Sequence, residues 1–278
     1  MTTTAVADVL AMADAAEFAA YADAWAAAPP ETAGALGMFS ARTGPYTVLG
    51  CWALPGAPML NRVTGAGLQP LDAAALAEAV GLLHRNGCVC QVSLRDDAPG
   101  AAETAAWLTR RGFREGYAWM RFVLPGGAGP PPVPGGLTAR VCAPGDAAAY
   151  GDAFATGYEL PPAFAGVAAG LVGRPGWTCV IAETPEGLPA GTGAMRVDGG
   201  VAWLGMGATV PAARGRGAQR AVLAARIRGA RGLGARLIVT ETGERSPGMP
   251  DASYRNILRA GFAEAGLRRN LVAPAPGR

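Results

Sequence analysis

The polar and apolar positions of this chain follow one pattern twice. Residues 88–94 (CVCQVSL) form a β-rich run, followed by a loop and a helical stretch ending in Leu108-Thr-Arg-Arg-Gly-Phe113. A strand-like run, 117–123, comes next. Residues 235–241 (ARLIVTE) open the same series, which runs through a helical stretch ending in Leu258-Arg-Ala-Gly-Phe262 to a run at 267–272. A helical pattern precedes each series, at 71–86 and at 217–232. The two Gly-Phe pairs lie 149 residues apart and the two strands 147 apart, which predicts an internal duplication. In each pair Gly supplies a left-handed helix end and Phe re-enters the core as the next strand begins.

The second half predicts further elements. A strand over 136–142 leads to helices over 143–157 and 161–172. Strands over 177–183, 190–197 and 201–209 follow, joined by Gly-bearing turns. Between the halves, ten of the twelve residues 125–136 are Gly or Pro and none is charged, the composition of an inter-domain linker. The division expected is 1–124, a 125–136 linker, and 137–278.

Composition removes several chemistries. All 24 basic residues are Arg, which excludes lysine mechanisms, and the single His, His84, excludes two-His metal centres. His84 lies near a helix C-terminus and reads as structural. The five Cys are odd in number and without C-x-x-C spacing, as for buried thiols in a reducing compartment. The first Arg is Arg42, and the opening carries Asp8, Asp14, Glu17 and Asp23, so no signal peptide is expected, and the longest apolar run, 163–172, is about half the length of a membrane span. A cytoplasmic monomer or homodimer is the expectation. Residues 1–130 carry 8 Arg against 11 acids and residues 131–278 carry 16 against 10, so net charge is −3 and then +6. No acid occurs between Gly199 and Thr240, where Arg214, Arg216, Arg220, Arg226, Arg228, Arg231 and Arg236 fall. That bias suits an anionic partner or a solvated Arg-rich helix.

The informative segment runs from Thr209 to Leu223. A strand ends near Thr209, Pro211 blocks further pairing, and a turn containing Gly215 and Gly217 enters a helix with Leu223, Ile227 and Ala230 on one face. Glycines let the main chain approach a ligand, and the first turn offers unpaired N–H groups at the positive end of the macrodipole. A pyrophosphate fits there. The segment lacks both the Gly-Lys-Ser/Thr ending of a Walker loop and a G-x-G-x-x-G fingerprint.

Arg214-Gly-Arg-Gly-Ala-Gln219 resembles the R/Q-x-x-G-x-G/A acyl-CoA loop of the GNAT (Gcn5-related N-acetyltransferase) superfamily. Thr209-Val-Pro resembles that family's V-x-P strand end, and residues 252–262 (ASYRNILRAGF) resemble its following helix. The resemblance covers roughly 136–272. The first half resembles a second, degenerate GNAT domain. Its counterpart of the phosphate loop, 61–67 (NRVTGAG), lacks the loop pattern and reads as a strand end and turn. The fold class implied is mixed α/β (α+β): two GNAT-like domains, each a mixed, mostly antiparallel sheet flanked by helices.

The resemblance implies an acyl-CoA cosubstrate, acetyl-CoA foremost, no metal, and an acceptor amine on a small molecule or peptide. It places CoA against Ala208, Thr209, Val210, Arg214, Gly215, Arg216, Gly217, Ala218 and Gln219, with Ser253 and Asn256 on the bordering helix. The chain departs from the family pattern at three points. Gln219 stands where Gly or Ala is usual. The strand before the loop, Trp203 to Thr209, holds no acid, and Ile257 occupies the position of the usual Tyr. Glu241, at the next strand's end, is a candidate base, or a carboxylate paired with Arg236 or Arg255. Tyr254 is a candidate acid at the thiol, or a lining residue. Phe154, Tyr158, Phe164 and Trp177 line an acceptor pocket or build the core. Two rivals remain: a CoA-binding pseudoenzyme or sensor, which the missing Glu and Tyr favour, and a nucleic-acid-binding protein, against which stands the lack of aromatic residues among the arginines. Removal of the Arg214 side chain, or a valine at Gly217, is expected to weaken CoA binding without loss of stability.

Overall fold

A computed structural model describes residues 3–124, 136–248 and 251–273 of the protein. The linker expected at 125–136 lies outside the described residues apart from Gly136. The chain opens with helices α1 (Thr3–Ala27) and α2 (Pro30–Leu36), then strands β1 (Met38–Thr43), β2 (Tyr46–Cys51) and β3 (Arg62–Thr64). Next come α3 (Ala73–Arg85), β4 (Cys90–Leu94), α4 (Ala101–Arg110), β5 (Arg114–Glu115) and β6 (Trp119–Leu124). The second half contributes β7 (Thr138–Val141), α5 (Ala147–Gly157), α6 (Ala165–Ala169), β8 (Trp177–Glu183), β9 (Pro189–Asp198) and β10 (Val201–Thr209). It ends with α7 (Ala218–Gly232), β11 (Leu237–Gly243), α8 (Ala252–Arg259) and β12 (Ala263–Ala273). The architecture is mixed α/β, with eight helices among the described residues.

These elements form two compact units. Of the described residues, the first holds 3–8, Ala33–Met120 and 267–273; the second holds Val9–Thr32 and Arg121–Gly266 apart from the undescribed stretches. Neither is a contiguous half of the sequence, in contrast to the expected division at 125–136. Most of helix α1 joins the second unit and most of β12 joins the first.

In the first unit β1, β2 and β3 pair antiparallel, β3 and β4 pair parallel, and β12 lies antiparallel to β4. Helix α3 begins where the Asp72 side chain accepts from Ala75 N at 2.9 Å, an N-cap bond. It buries Leu76, Ala79, Val80 and Leu83 at helical spacing against Val48, Val63, Val92 and Leu271. Residues 61–67 hold β3 and the turn after it. Asn61 is fully buried, accepts from Cys51 N at 2.8 Å, and donates to Leu54 O and Ala57 O. His84 sits in the last turn of α3, with burial drawing its pKa down.

In the second unit β7, β8, β9 and β10 form an antiparallel ladder, β10 pairs parallel with β11, and β6 lies beside β11. Alternate residues face opposite sides. Ile181 and Trp203 meet Tyr150, Phe154 and Trp177 together with Ala13, Ala20 and Ala24 of α1. Val180 and Ala182 meet Ala218, Ala221 and Val222 of α7. Helix α1 was not foreseen. Asp14 and Glu17 interrupt its buried face, and Asp14 pairs there with Arg121 at 3.1 Å.

Asp23 ties α1 to the same unit, accepting from Arg174 at 2.7 and 2.9 Å and from Trp177 Nε1 at 2.6 Å. Its bond to Arg174 leads the effects that lower its pKa from 3.8 to about 2. A depressed carboxylate pKa gives stability that is present above the unfolded value and lost as pH falls through the folded one. Asp23→Asn should therefore lower unfolding free energy by about 1–2 kcal/mol at pH 7. In urea unfolding series the deficit should close near pH 2. A deficit unchanged between pH 7 and pH 2 would contradict the linkage.

Candidate active site

The end of β10 and the start of α7 build a groove. β10 and β11 pair in parallel only from Val201–Leu237 to Leu204–Thr240. Beyond Leu204 the β9 register shifts between Gly205 and Ala208, so Met206 and Gly207 stand opposite Gly193 alone. Two residues against one is a β-bulge, and Met206 adopts φ +53° within it. The two parallel strands thus separate where the sheet is most irregular. Thr240 Oγ1 donates to Leu204 O at 2.7 Å at the last paired position.

After β10 a single 3₁₀ turn, Pro211–Ala213, leads into the glycine segment. Gly215 and Gly217 take φ +78° and +92°, a region costly for side chains with a Cβ. Gly217 is the N-cap of α7 and supplies no side-chain cap, so the first-turn N–H groups open outward. Thr209, Ala213, Arg214, Gly215, Arg216, Gly217, Ala218, Gln219, Arg220, Ala252, Arg255, Asn256 and Arg259 line a cavity of about 660 Å³. Five of these are arginines and none is acidic. Such a surface, at the positive end of a fifteen-residue helix, suits a polyphosphate.

Among the residues expected to hold CoA, Thr209, the run from Arg214 to Gln219, and Asn256 line the cavity. Ala208, Val210 and Ser253 do not. Ala208 is buried in the strand, and Ser253 Oγ is engaged by Gln219 Nε2 at 2.9 Å and Thr242 Oγ1 at 3.1 Å. Gln219 explains the departure from the usual Gly or Ala. Its amide also accepts from Asn256 Nδ2 at 2.8 Å, so it fastens α8 to α7 along the groove wall. The sequence reading missed Arg220, Arg255 and Arg259. The signal was present in the spacing of 255 and 259, one helical turn apart on α8.

Arg214 is half exposed and donates to Glu159 Oε1 at 2.7 Å and to Gly157 O at 3.5 Å. Glu159 follows α5 with φ +56°.

Glu241 lies one residue beyond the last parallel pair, at the point of strand separation. Its carboxylate accepts from Trp203 Nε1 at 2.9 Å. Trp203 is fully buried and fixed edge-on by Tyr21 and Trp177, so it orients Glu241 from below. The Glu241 charge is felt by Tyr158 and Arg226. Arg236 donates instead to Gly199 O, and Arg255 pairs with Asp251 at 2.5 Å. Phe154, Phe164 and Trp177 are core, and Tyr158 is exposed.

Tyr254 is displaced from the role considered for it. Its ring is buried edge-on to Phe122, and its hydroxyl donates to Glu264 Oε1 at 2.6 Å. Burial, with that carboxylate, raises its pKa to about 12. A hydroxyl so held is poorly matched to proton transfer near neutrality.

No group of His, Cys, Asp and Glu among the described residues could hold a metal ion, and none of the helices searched there is long and apolar enough to cross a membrane. No protein-family model matches the sequence, and no curated protein does. Solved structures do. A GCN5-related N-acetyltransferase from Sphaerobacter thermophilus aligns at TM-score 0.61 and 17% identity over 84% of this chain and 82% of that one. One from Kribbella flavida aligns at 0.59 and 20% over 87% and 90%. A tandem GNAT protein from the clavulanic acid biosynthesis pathway aligns at 0.55 and 18% over 84% and 80%. The parallel strands that part beside a glycine loop, and the alignments across most of the chain, give this protein the fold of the GNAT N-acetyltransferases.

Proposed function

We propose that the protein transfers an acyl group from acyl-CoA, acetyl-CoA foremost, to an amine of a small molecule or peptide. The observation that carries this reading is the arginine-lined groove at the start of α7, beside the gap between β10 and β11. The pyrophosphate would meet the N–H groups after Gly217 and the guanidinium of Arg214. Arg220, Arg255 and Arg259 offer further charge to the nucleotide end. The thioester would then lie along the bulge of β10, within reach of Glu241.

Glu241 takes the proton of the attacking ammonium, directly or through one water. The amine nitrogen bonds to the thioester carbon, main-chain N–H groups of the bulge receive charge on the oxygen, the nitrogen releases its second proton to water, and the carbon–sulfur bond breaks. The thiolate leaves with a proton returned from solvent, since Tyr254 is held by Glu264. Much of the rate comes from holding two reactants in one cleft. We assign the first unit as a GNAT-like domain without a CoA site, because the Asp72 carboxylate caps the start of α3, the helix that corresponds to α7, and occupies a first-turn N–H there.

The engagement of Tyr254 also favours a second reading, a CoA-binding protein without turnover. Acetyl-CoA with a panel of amines, assayed by release of free thiol, separates the two. Thiol release that depends on the amine supports transfer, and binding without release supports the second reading.

Glu159 should compete with phosphate for Arg214. Glu159→Gln is expected to tighten acetyl-CoA binding about twofold to fivefold, the scale of an exposed pair. Calorimetric titration checks this, and unchanged or weaker binding would contradict the competition.

A further inference from the structure

Arg226 lies on the face of α7 that packs against the sheet and is 3% exposed. Burial draws its pKa down to about 10. A buried guanidinium is expensive unless it is hydrogen-bonded, and here main-chain oxygens receive three bonds from it. Nη1 donates to Ala194 O at 3.0 Å and Gly205 O at 2.9 Å, and Nε donates to Val222 O at 3.4 Å. Gly205 and Ala194 are the last cross-strand pair before the register shift. Both carbonyls therefore turn to the arginine at the position where the bulge starts.

Gly193 makes room for this side chain. A Cβ at Gly193 would lie 2.6 Å from Val222 Cγ1, 2.7 Å from Arg226 Cζ and 2.9 Å from Nε, whereas one at Gly207 would be in ordinary contact, 3.5 Å from Nη2. Gly193 is also the residue that faces the two bulged residues. An arginine, the glycine that admits it and the bulge it fastens thus form one unit.

We infer that Arg226 is a positioning residue for acyl transfer. It locks the β10 bulge, which sets the main-chain N–H groups against the thioester oxygen, and it places a fixed positive charge behind the site where that oxygen gains negative charge. The inference rests on the acyltransferase reading above. It assigns Arg226 to the reaction rather than to CoA binding, since Arg226 does not line the groove.

The test compares parent, Arg226→Met, Arg226→Lys and Gly193→Ala by kcat, acetyl-CoA KM, calorimetric CoA affinity and circular dichroism. Arg226→Met keeps length but removes charge and donors. It should lower kcat about thirtyfold or more while CoA affinity stays within about threefold. Arg226→Lys, which keeps the charge and some donors, should recover part of that loss. Gly193→Ala keeps the cation but presses on it and on Val222, and should lower kcat about tenfold with CoA affinity within about threefold, so an unfolded Arg226→Met leaves the inference open to disproof. A folded Arg226→Met or Gly193→Ala with parental kcat would overturn the inference and leave the acyltransferase reading standing. Equal losses of kcat and CoA affinity would assign Arg226 a purely structural role. A parent protein that binds CoA but transfers nothing to any amine would overturn both.

Discussion

Glu241→Gln should lower kcat about a hundredfold or more while the acetyl-CoA KM stays within about threefold. Glutamine retains an oxygen that can accept the Trp203 bond, so the strand end and the buried indole keep their arrangement. What is lost is a group able to take a proton at the mouth of the gap. The pH dependence distinguishes this from a change in shape. A free amine needs no base, so the deficit should shrink as pH rises toward the acceptor's own pKa. Steady-state rates across pH 6–10 check this. A variant within threefold of the parent at neutral pH, or a deficit that ignores pH, would remove Glu241 from the mechanism.

Gly217→Val should raise the acetyl-CoA KM about thirtyfold or more, since a branched side chain would stand where main-chain N–H groups must meet phosphate. The structure adds a second effect that the sequence reading did not include. Gly217 sits at φ +92°, so a valine there carries backbone strain of about 1–3 kcal/mol. The melting temperature should fall by several degrees, roughly 2–4 °C per kcal/mol for a chain of this order. Arg214→Ala separates binding from strain. That side chain is 54% exposed and its pair with Glu159 is superficial, so stability should hold while KM rises about tenfold. Parental KM in Gly217→Val would contradict the loop assignment. A rise in KM for Gly217→Val with none for Arg214→Ala would show that strain alone disturbs the groove.

What the sequence discloses depends on contrast between neighbours. β8 and β10 have the bounds that their flanking Gly and Asp-Gly-Gly turns predict, and α7 begins at the expected glycine. Helix α1 escapes because its buried face carries Asp14 and Glu17, which periodicity scores as exposed. The pairing of β12 with β4 is likewise illegible, since a strand's pattern reports which face is buried and not which neighbour it takes. The glycine loop was read by spacing, but its arginine partners on α8 were not, because a helix separated in sequence supplies them. Tyr254 looked available because nothing in the pattern around it announces a bond to Glu264, ten residues on. Arg226 was counted with the other arginines of an acid-free segment. The hint lay in Gly193, Gly205 and Gly207, glycines within strands, which mark a bulge or a close approach.

The claim on which the rest depends is that the groove at Arg214–Asn256 holds acyl-CoA, and calorimetric titration of acetyl-CoA into the full chain tests it most directly. The account predicts one site per chain, because α7 starts at an uncapped glycine whereas the Asp72 side chain caps α3, its counterpart in the first unit. It also predicts an affinity about tenfold weaker in Arg214→Ala. No heat of binding at millimolar acetyl-CoA, two equivalent sites, or equal affinity in Arg214→Ala would contradict it.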